Sequence, residues 1–192
     1  MNFKTYDILS SLVPGFIMLL VLIPVLGYQY NKDYVVGYTA VAFLLGYFIN
    51  TVGSWLEDFY FFTWCGKPSS NLLEGKEIWK IKLYNHNSIK THLLSKTSNP
   101  SASNNELFSI AMRVAFSQKD TRLDDFNGQY AFSRTMLTCV LLSGIFLTVN
   151  YYNDWRAYLT IPIIIVFWYR CKQRGYYFSK EVLNVYSYKE NL

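Results

Sequence analysis

The sequence predicts an all-α integral membrane protein, with four transmembrane helices arranged as two hairpins and a mostly helical cytoplasmic insert between them. Two observations lead to this prediction. Four apolar stretches contain no charged residue, and three of them have the roughly 20 residues that a helix needs to cross a bilayer core about 30 Å thick. In addition, 16 of the 18 Lys and Arg residues lie on one side of these stretches. The hydrophobic residues, 52% of the chain, are concentrated towards its two ends, which leaves a polar middle.

The first hairpin is predicted over residues 1–56. It contains two helices, at about 8–28 and 34–55, and the turn between them is too short for any arrangement other than antiparallel. The first helix has the position of a secretory signal. However, it is too long, contains Pro14 and Pro24, and has no small-x-small cleavage site, so we expect it to be retained.

The cytoplasmic insert is predicted over residues 57–134. Near its start, Trp79, Ile81 and Leu83 alternate with lysines, which favours a short half-buried strand, or otherwise one face of a helix. Farther on, apolar residues at helical spacing predict an amphipathic helix, and Asn104 or Asn105 is suited to its N-cap. From residue 121 the pattern predicts one long helix that rises into the membrane.

The second hairpin is predicted over residues 135–170, with helices at about 135–151 and 157–169 and a cytoplasmic tail over residues 171–192. Only 13 residues separate Arg156 from Arg170, so we expect the fourth helix to continue into the cytoplasm. Positive charge is enriched on the cytoplasmic side of membrane proteins. The charge distribution therefore predicts a multi-pass membrane protein with the insert and both termini in the cytoplasm.

The second helix carries small and polar residues on one stripe, and these are the candidate residues for helix packing or for a pore: Gly46, Asn50, Thr51, Gly53 and Ser54. Small residues let helices approach closely in lipid. The stripe therefore predicts either packing within the four-helix unit or association between copies, and we weigh these two alternatives equally. In a homo-oligomer that surrounds a pore, Asn50, Thr51 and Ser54 are the residues expected at its inner constriction, although a helix-to-helix hydrogen bond would explain Asn50 equally well.

Charged residues at the inner membrane boundary form a second group of candidates. Glu57 and Asp58 follow the second helix, and Arg134 precedes the third, at a similar expected depth. Charges beside a membrane commonly pair with one another. We therefore expect Arg134 to form an ion pair with one of these two carboxylates, which would join the hairpins.

The sequence contains few residues in arrangements that are typical of catalytic sites. His86 and His92 are six residues apart, which is not the spacing that places two ligands on one helical face, and no hydrolase, phosphate-binding or dinucleotide-binding motif occurs. We expect both histidines to be solvated. The three cysteines are widely separated, so we predict no disulfide, metal or cofactor site and no enzyme. The net charge of +5 is explained by the acidic cytoplasmic leaflet, so no direct nucleic-acid binding is expected.

Three passages carry a resemblance to a known family. They are Tyr6-Asp7 leading to Val13-Pro14-Gly15-Phe16, the segment from Gly46 to Ser54, and the segment from Phe126 to Arg134. Together they resemble small membrane proteins of bacterial antiphage defence loci, in particular the transmembrane accessory proteins encoded beside the RNA-guided ribonuclease of type VI-B CRISPR systems. One branch of that group carries an Arg and His pair similar to that of HEPN ribonucleases, and this sequence lacks the pair.

The resemblance implies a non-enzymatic accessory or effector protein that assembles in the inner membrane as a pore and works with a cytoplasmic RNA-guided nuclease. A second hypothesis is a membrane scaffold that recruits or regulates such a nuclease without conducting. A lipid-processing enzyme is a third hypothesis, and the scarcity of acid, base and metal-binding groups disfavours it.

Overall fold

The computed structural model describes residues 5–77, 80–97, 99, 101–117 and 121–192, and this part of the chain is helical without a β-strand. The α-helices are α1 (Thr5–Val25), α2 (Val35–Trp55), α3 (Glu57–Thr63), α4 (Pro68–Leu73), α5 (His86–Ser95), α6 (Asn104–Phe116), α7 (Thr121–Asn150) and α8 (Thr160–Lys189). Short 3-10 turns, Lys32–Tyr34 and Trp155–Leu159, precede α2 and α8. The all-helical class is therefore confirmed for the described residues.

The chain divides into two compact units. Unit 1 consists of Met1–Glu57 and Gly128–Cys171, and unit 2 consists of Asp58–Asn127 and Lys172–Leu192. The boundaries near residues 57 and 171 lie next to those expected from the charge pattern. The boundary within α7 lies seven residues before the predicted one, because the turn of α7 that carries Arg134 belongs to unit 1.

In unit 1, α1 and α2 form an antiparallel hairpin whose backbones touch. A Cβ atom on Gly15 would lie 1.7 Å from the carbonyl oxygen of Ala42, and one on Gly46 would lie 1.7 Å from the carbonyl oxygen of Ser11. Only glycine fits at either position, because any side chain would overlap the facing backbone. The predicted small-residue stripe thus contains a site of close helix packing within the chain.

Helix α7 packs against the same hairpin. The Cys139 thiol donates to the carbonyl oxygen of Pro14, with a sulfur-to-oxygen distance of 3.1 Å. Met18, Ile49 and Cys139 form a small buried apolar cluster that joins the three helices. Unit 1 therefore holds α1, α2 and α7 together through small residues and sulfur atoms.

Two described segments are long and apolar enough to cross a membrane, Lys32–Trp55 and Arg122–Asn150. The apolar part of α1, Ser10–Val25, is shorter than that test requires, and no segment of α8 passes it. Helix α8 is apolar only in its first turns, before Arg170. Of the four predicted transmembrane helices, two are therefore candidate spans by length and composition.

Unit 2 has a hydrophobic core of its own. Helices α4, α5 and α6 and the part of α8 after residue 171 contribute to it. Its members are buried apolar side chains that include Leu72, Ile89, Leu107, Leu123 and Leu183. Helix α6 begins at a capping box, in which the Ser103 hydroxyl accepts from the Glu106 amide and the Glu106 carboxylate accepts from the Ser103 amide. The predicted N-cap, Asn104 or Asn105, is therefore wrong by one or two residues.

The predicted strand near residue 80 is wrong for the residues that the structure describes. Ile81 and Leu83 are both buried, but neither belongs to a strand. Lys80 has a φ of +64°, a left-handed conformation that interrupts an extended run. Trp79, the first residue of the predicted alternation, lies outside the described residues.

A polar cluster at the ends of the candidate membrane spans

Six polar side chains of unit 1 meet where α2 ends and the apolar part of α7 begins. Three of them lie along α2 and at the start of α3, and the other three lie along α7. Neighbours within each set are about one helical turn apart, except for two that are adjacent in the sequence. We call this set the polar cluster: Asn50, Ser54, Glu57, Tyr130, Arg134 and Thr135. Residues four or seven apart share a helical face, so each helix presents its members to the other.

An ion pair lies at the centre of the polar cluster. The Nη1 atom of Arg134 is 3.2 Å from Oε2 of Glu57, and its Nη2 atom donates to the Ser54 hydroxyl over 3.0 Å. The Tyr130 hydroxyl donates to Oε1 of Glu57 over 2.5 Å, so both carboxylate oxygens have a partner. The guanidinium carbon of Arg134 also lies 5.8 Å from the centre of the Tyr130 ring. One carboxylate is thus held by two groups of α7.

One helical turn before Ser54 along α2, a hydrogen bond between two uncharged side chains extends the polar cluster. The Thr135 hydroxyl donates to Oδ1 of Asn50 over 3.0 Å. Beside it, a Cβ atom on Gly53 would lie 2.8 Å from Oγ1 of Thr138, so Gly53 leaves no room for a side chain there. Close packing of α2 on α7 and the hydrogen bond between Asn50 and Thr135 therefore depend on each other.

The ion pair is largely withdrawn from solvent. The side chain of Arg134 is 14% exposed and that of Glu57 is 29% exposed. The Nε atom of Arg134 is buried and has no hydrogen-bond partner among the described residues. A buried ion pair stabilises a fold only weakly, but removal of one partner leaves a charge that is costly to keep from water. Loss of either charged partner is therefore expected to destabilise the contact between α2 and α7.

The remaining predicted residues lie at the edge of the polar cluster or away from it. Gly46 packs on α1, and Thr51 is half-buried and donates to the carbonyl oxygen of Tyr47 over 3.1 Å. Asp58 was predicted as an alternative partner of Arg134. It instead lies 3.3 Å from Nζ of Lys67, and its side chain is 86% exposed. Of the two carboxylates, the structure therefore places Glu57 with Arg134.

Two contacts were missed by the reasoning from sequence. Tyr130 was not among the predicted site residues, although its place one turn before Arg134 was a signal. His92 was expected to be solvated, yet its Nδ1 atom lies 2.9 Å from the Tyr186 hydroxyl in unit 2. Burial raises the pKa of Tyr186 to about 12. A hydrogen bond from Lys96 lowers the pKa of the neighbouring Glu190 carboxyl. These contacts tie α5 to the end of α8.

The described residues contain no group of three or more His, Cys, Asp or Glu side chains placed to hold a metal ion. Cys65, Cys139 and Cys171 are free thiols, and only Cys65 is exposed. No family model, curated protein or solved structure matches this chain.

Proposed function

We propose that this chain is a multi-pass protein of the bacterial inner membrane that oligomerises and alters membrane permeability as an accessory or effector of antiphage defence. Both termini and unit 2 lie in the cytoplasm. Support comes from the two candidate spans and from the accumulation of Lys and Arg on one side of the apolar stretches. The defence context rests on the resemblance of three passages to membrane proteins of type VI-B CRISPR loci.

All four apolar helices cross the bilayer in this proposal. The apolar part of α1 reaches the span length together with the residues that flank it. The apolar start of α8 does so because Arg156 and Arg170, which bound this stretch, extend towards the two surfaces. The exposed side chains of these helices fit a lipid environment. In α8, for example, Ile161, Ile165 and Val166 are about half exposed or more. Such a surface is costly in water and is normal against acyl chains.

The observation that carries the proposal is the polar cluster. Ionisable residues at membrane depth are rare and usually mark a functional site or a pathway for ions. Here Glu57 follows the end of the candidate span Lys32–Trp55, Arg134 lies on α7 at the start of its charge-free stretch, and the pair joins the first hairpin to α7. We propose that the ion pair holds the impermeable state. Its opening would give water and ions access to Asn50 and Thr135, the next polar groups along the same helices.

A pore requires several copies of the chain, because four helices with a narrow interior do not enclose a path for water. Gly46 and Gly53 are already occupied by contacts within the chain. Copies would therefore associate through other faces, such as the exposed side of α2 that carries Leu44, Tyr47 and Phe48.

A second candidate function is supported by unit 2. This unit has its own buried core, which a cytoplasmic docking module needs. As a scaffold, the chain would recruit or regulate a cytoplasmic RNA-guided nuclease and leave the bilayer tight. Substitutions on the surface of unit 2 would then abolish activity, whereas Asn50→Leu and Ser54→Leu would leave it intact.

Dye release from liposomes containing the purified full chain tests the pore. We expect release of a small dye, and faster release for Arg134→Gln because the substitution removes the ion pair. The matched control is Asp58→Asn, which changes the neighbouring exposed carboxylate and is expected to behave as the original chain does. Liposomes that stay tight for all three proteins, with and without the candidate nuclease, would exclude the pore and leave the scaffold.

A further inference from the structure

Helix α3 divides its aromatic residues between two sides. Tyr60 is 1% exposed, and Trp64, one turn later, is fully buried. Phe59 and Phe62, three residues apart and therefore on one face, are 59% and 81% exposed. We call Phe59 and Phe62 the exposed aromatic face. One side of α3 is therefore covered by the rest of the chain, and the exposed aromatic face is not.

Chain continuity indicates what covers this face. The candidate span Lys32–Trp55 ends two residues before α3 begins, and Trp55 is itself 75% exposed. Aromatic side chains are enriched at the level of the lipid headgroups, where an apolar ring meets a hydrated layer. We propose that the exposed aromatic face inserts into the cytoplasmic headgroup layer and holds α3 on the phospholipid surface. This inference rests on the membrane placement in the proposed function.

The local charges specify how the lipid is recognised. Lys67 is the basic residue nearest this face in the sequence, and Asp58 already neutralises it at 3.3 Å. The Lys67 ammonium also lies 5.7 Å from the centre of the Phe61 ring. With no net charge on this pair, the rings and not the lysine carry the attachment. Binding is therefore expected to be the same for zwitterionic and anionic phospholipids and to persist in high salt, unlike attachment by a basic patch.

The free thiol of Cys65 allows a direct test, because it is exposed and lies three residues after Phe62, whereas Cys139 and Cys171 are buried. An environment-sensitive fluorophore is attached to Cys65 of the full chain, with Cys65→Ser as the labelling background. The chain is then reconstituted into phosphatidylcholine vesicles with or without phosphatidylglycerol, and with spin labels either at the headgroup or deep in the acyl chain.

We expect stronger quenching by the headgroup label than by the deep label, in both lipid mixtures and at high salt. The double substitution Phe59→Ser/Phe62→Ser should lower this quenching by about twofold or more. Phe62→Trp should preserve it and shows that the site still folds. The matched control is Tyr84→Ser, which removes a similarly exposed aromatic residue elsewhere in unit 2.

Three results would overturn the inference. One is quenching by aqueous iodide that is equal in the original chain and the double variant. Another is quenching by lipid labels only with phosphatidylglycerol and only at low salt, which would assign the attachment to charge. The third is protection from both kinds of quencher, which would indicate a protein partner. Vesicle flotation separates this inference from the proposed function: a chain that floats, shows shallow quenching and releases no dye would retain the inference and exclude the pore.

Discussion

Unit 1 and unit 2 place their apolar side chains in opposite ways. Among the described residues, every exposed large aliphatic side chain lies in unit 1, except the terminal Leu192. Val36 and Leu44 of α2 are 85% and 68% exposed, while Thr135 and Thr138 of α7 are buried. In unit 2, Leu72, Leu107 and Leu183 are fully buried.

This difference indicates the solvent that each unit meets. A water-soluble unit places its aliphatic side chains inside because contact with water is unfavourable. In lipid that driving force is absent, and helices associate instead through small residues and interhelical hydrogen bonds. Unit 1 uses contacts of this second kind, at Gly15, Gly46 and Gly53 and in the polar cluster. The two units therefore respond differently to the same kind of substitution.

The largest expected effect comes from Arg134→Met in unit 1. It leaves Glu57 mostly buried without its cation, and we expect a loss of about 3 to 5 kcal/mol in the free energy of unfolding. Adding Glu57→Gln to the same chain should restore most of that loss, because no unpaired charge remains. Unfolding of the purified protein in mixed micelles measures both. Equal stabilities of the single and double variants would contradict the ion pair.

Leu107→Ala in unit 2 should have the next largest effect. It empties part of a fully buried site, which typically lowers the free energy of unfolding by about 2 to 4 kcal/mol. Leu20→Ala is the matched substitution in unit 1, and because Leu20 is 56% exposed we expect a much smaller change. Hydrogen exchange of the full chain in lipid nanodiscs reports each unit separately. Similar losses at both positions would remove the distinction between the units.

Gly46→Ala tests the close contact within unit 1. Its new Cβ atom would overlap the carbonyl oxygen of Ser11, so α1 must move away from α2, at a cost of about 1 to 3 kcal/mol. Gly37→Ala on the same helix is the control, because nothing lies within 4 Å of a Cβ atom there. Thermal unfolding of both variants in one lipid mixture measures the difference. A neutral Gly46→Ala would show that α1 and α2 are not in backbone contact.

Glu190→Gln should have the smallest effect and should act only on unit 2. The pKa of Glu190 is lowered chiefly by its hydrogen bond with Lys96, so the contact stabilises the fold above the ordinary pKa of a carboxyl group and is lost as the pH falls through the lowered value. Near neutral pH the variant should exchange α5 amide protons faster than the original chain. Once the pH is below the lowered pKa of Glu190 the two should become alike, and a difference that persists there would contradict this pairing.

Charge patterning was sufficient to predict the long helices. The ends of α2 and α7, and the continuation of α8 beyond Arg170, lie close to the positions at which charged residues return. Charge patterning predicts these positions because an apolar helix either ends or passes into a different solvent where a charged residue appears. Local features set by individual dihedral angles were not predicted in this way. The left-handed Lys80, which breaks the predicted strand, has no signal in the hydrophobic pattern.

The polar cluster was predicted in part, for a similar reason. The expected depth of each residue along its helix predicted that Arg134 lies near Glu57 and Asp58. Depth alone does not distinguish the carboxylates of two adjacent residues. The choice depends on helical phase, because Glu57 shares a face with Ser54 and Asn50, whereas Asp58 is turned by a further 100° or so. Tyr130 was not predicted because the pattern of charges does not mark an uncharged hydroxyl group. His92 and Tyr186 are 94 residues apart, and only tertiary packing brings them together.

The central claim, that unit 1 crosses the bilayer and unit 2 lies in the cytoplasm, is tested most directly by thiol labelling from each side of the membrane. Cys65 is the exposed thiol of unit 2, and Tyr30→Cys in a Cys65→Ser chain places one in the turn between α1 and α2. With a membrane-impermeant maleimide, Cys65 should react only in inverted vesicles, and the turn cysteine only in intact spheroplasts. Labelling of both thiols from the same side would contradict the account.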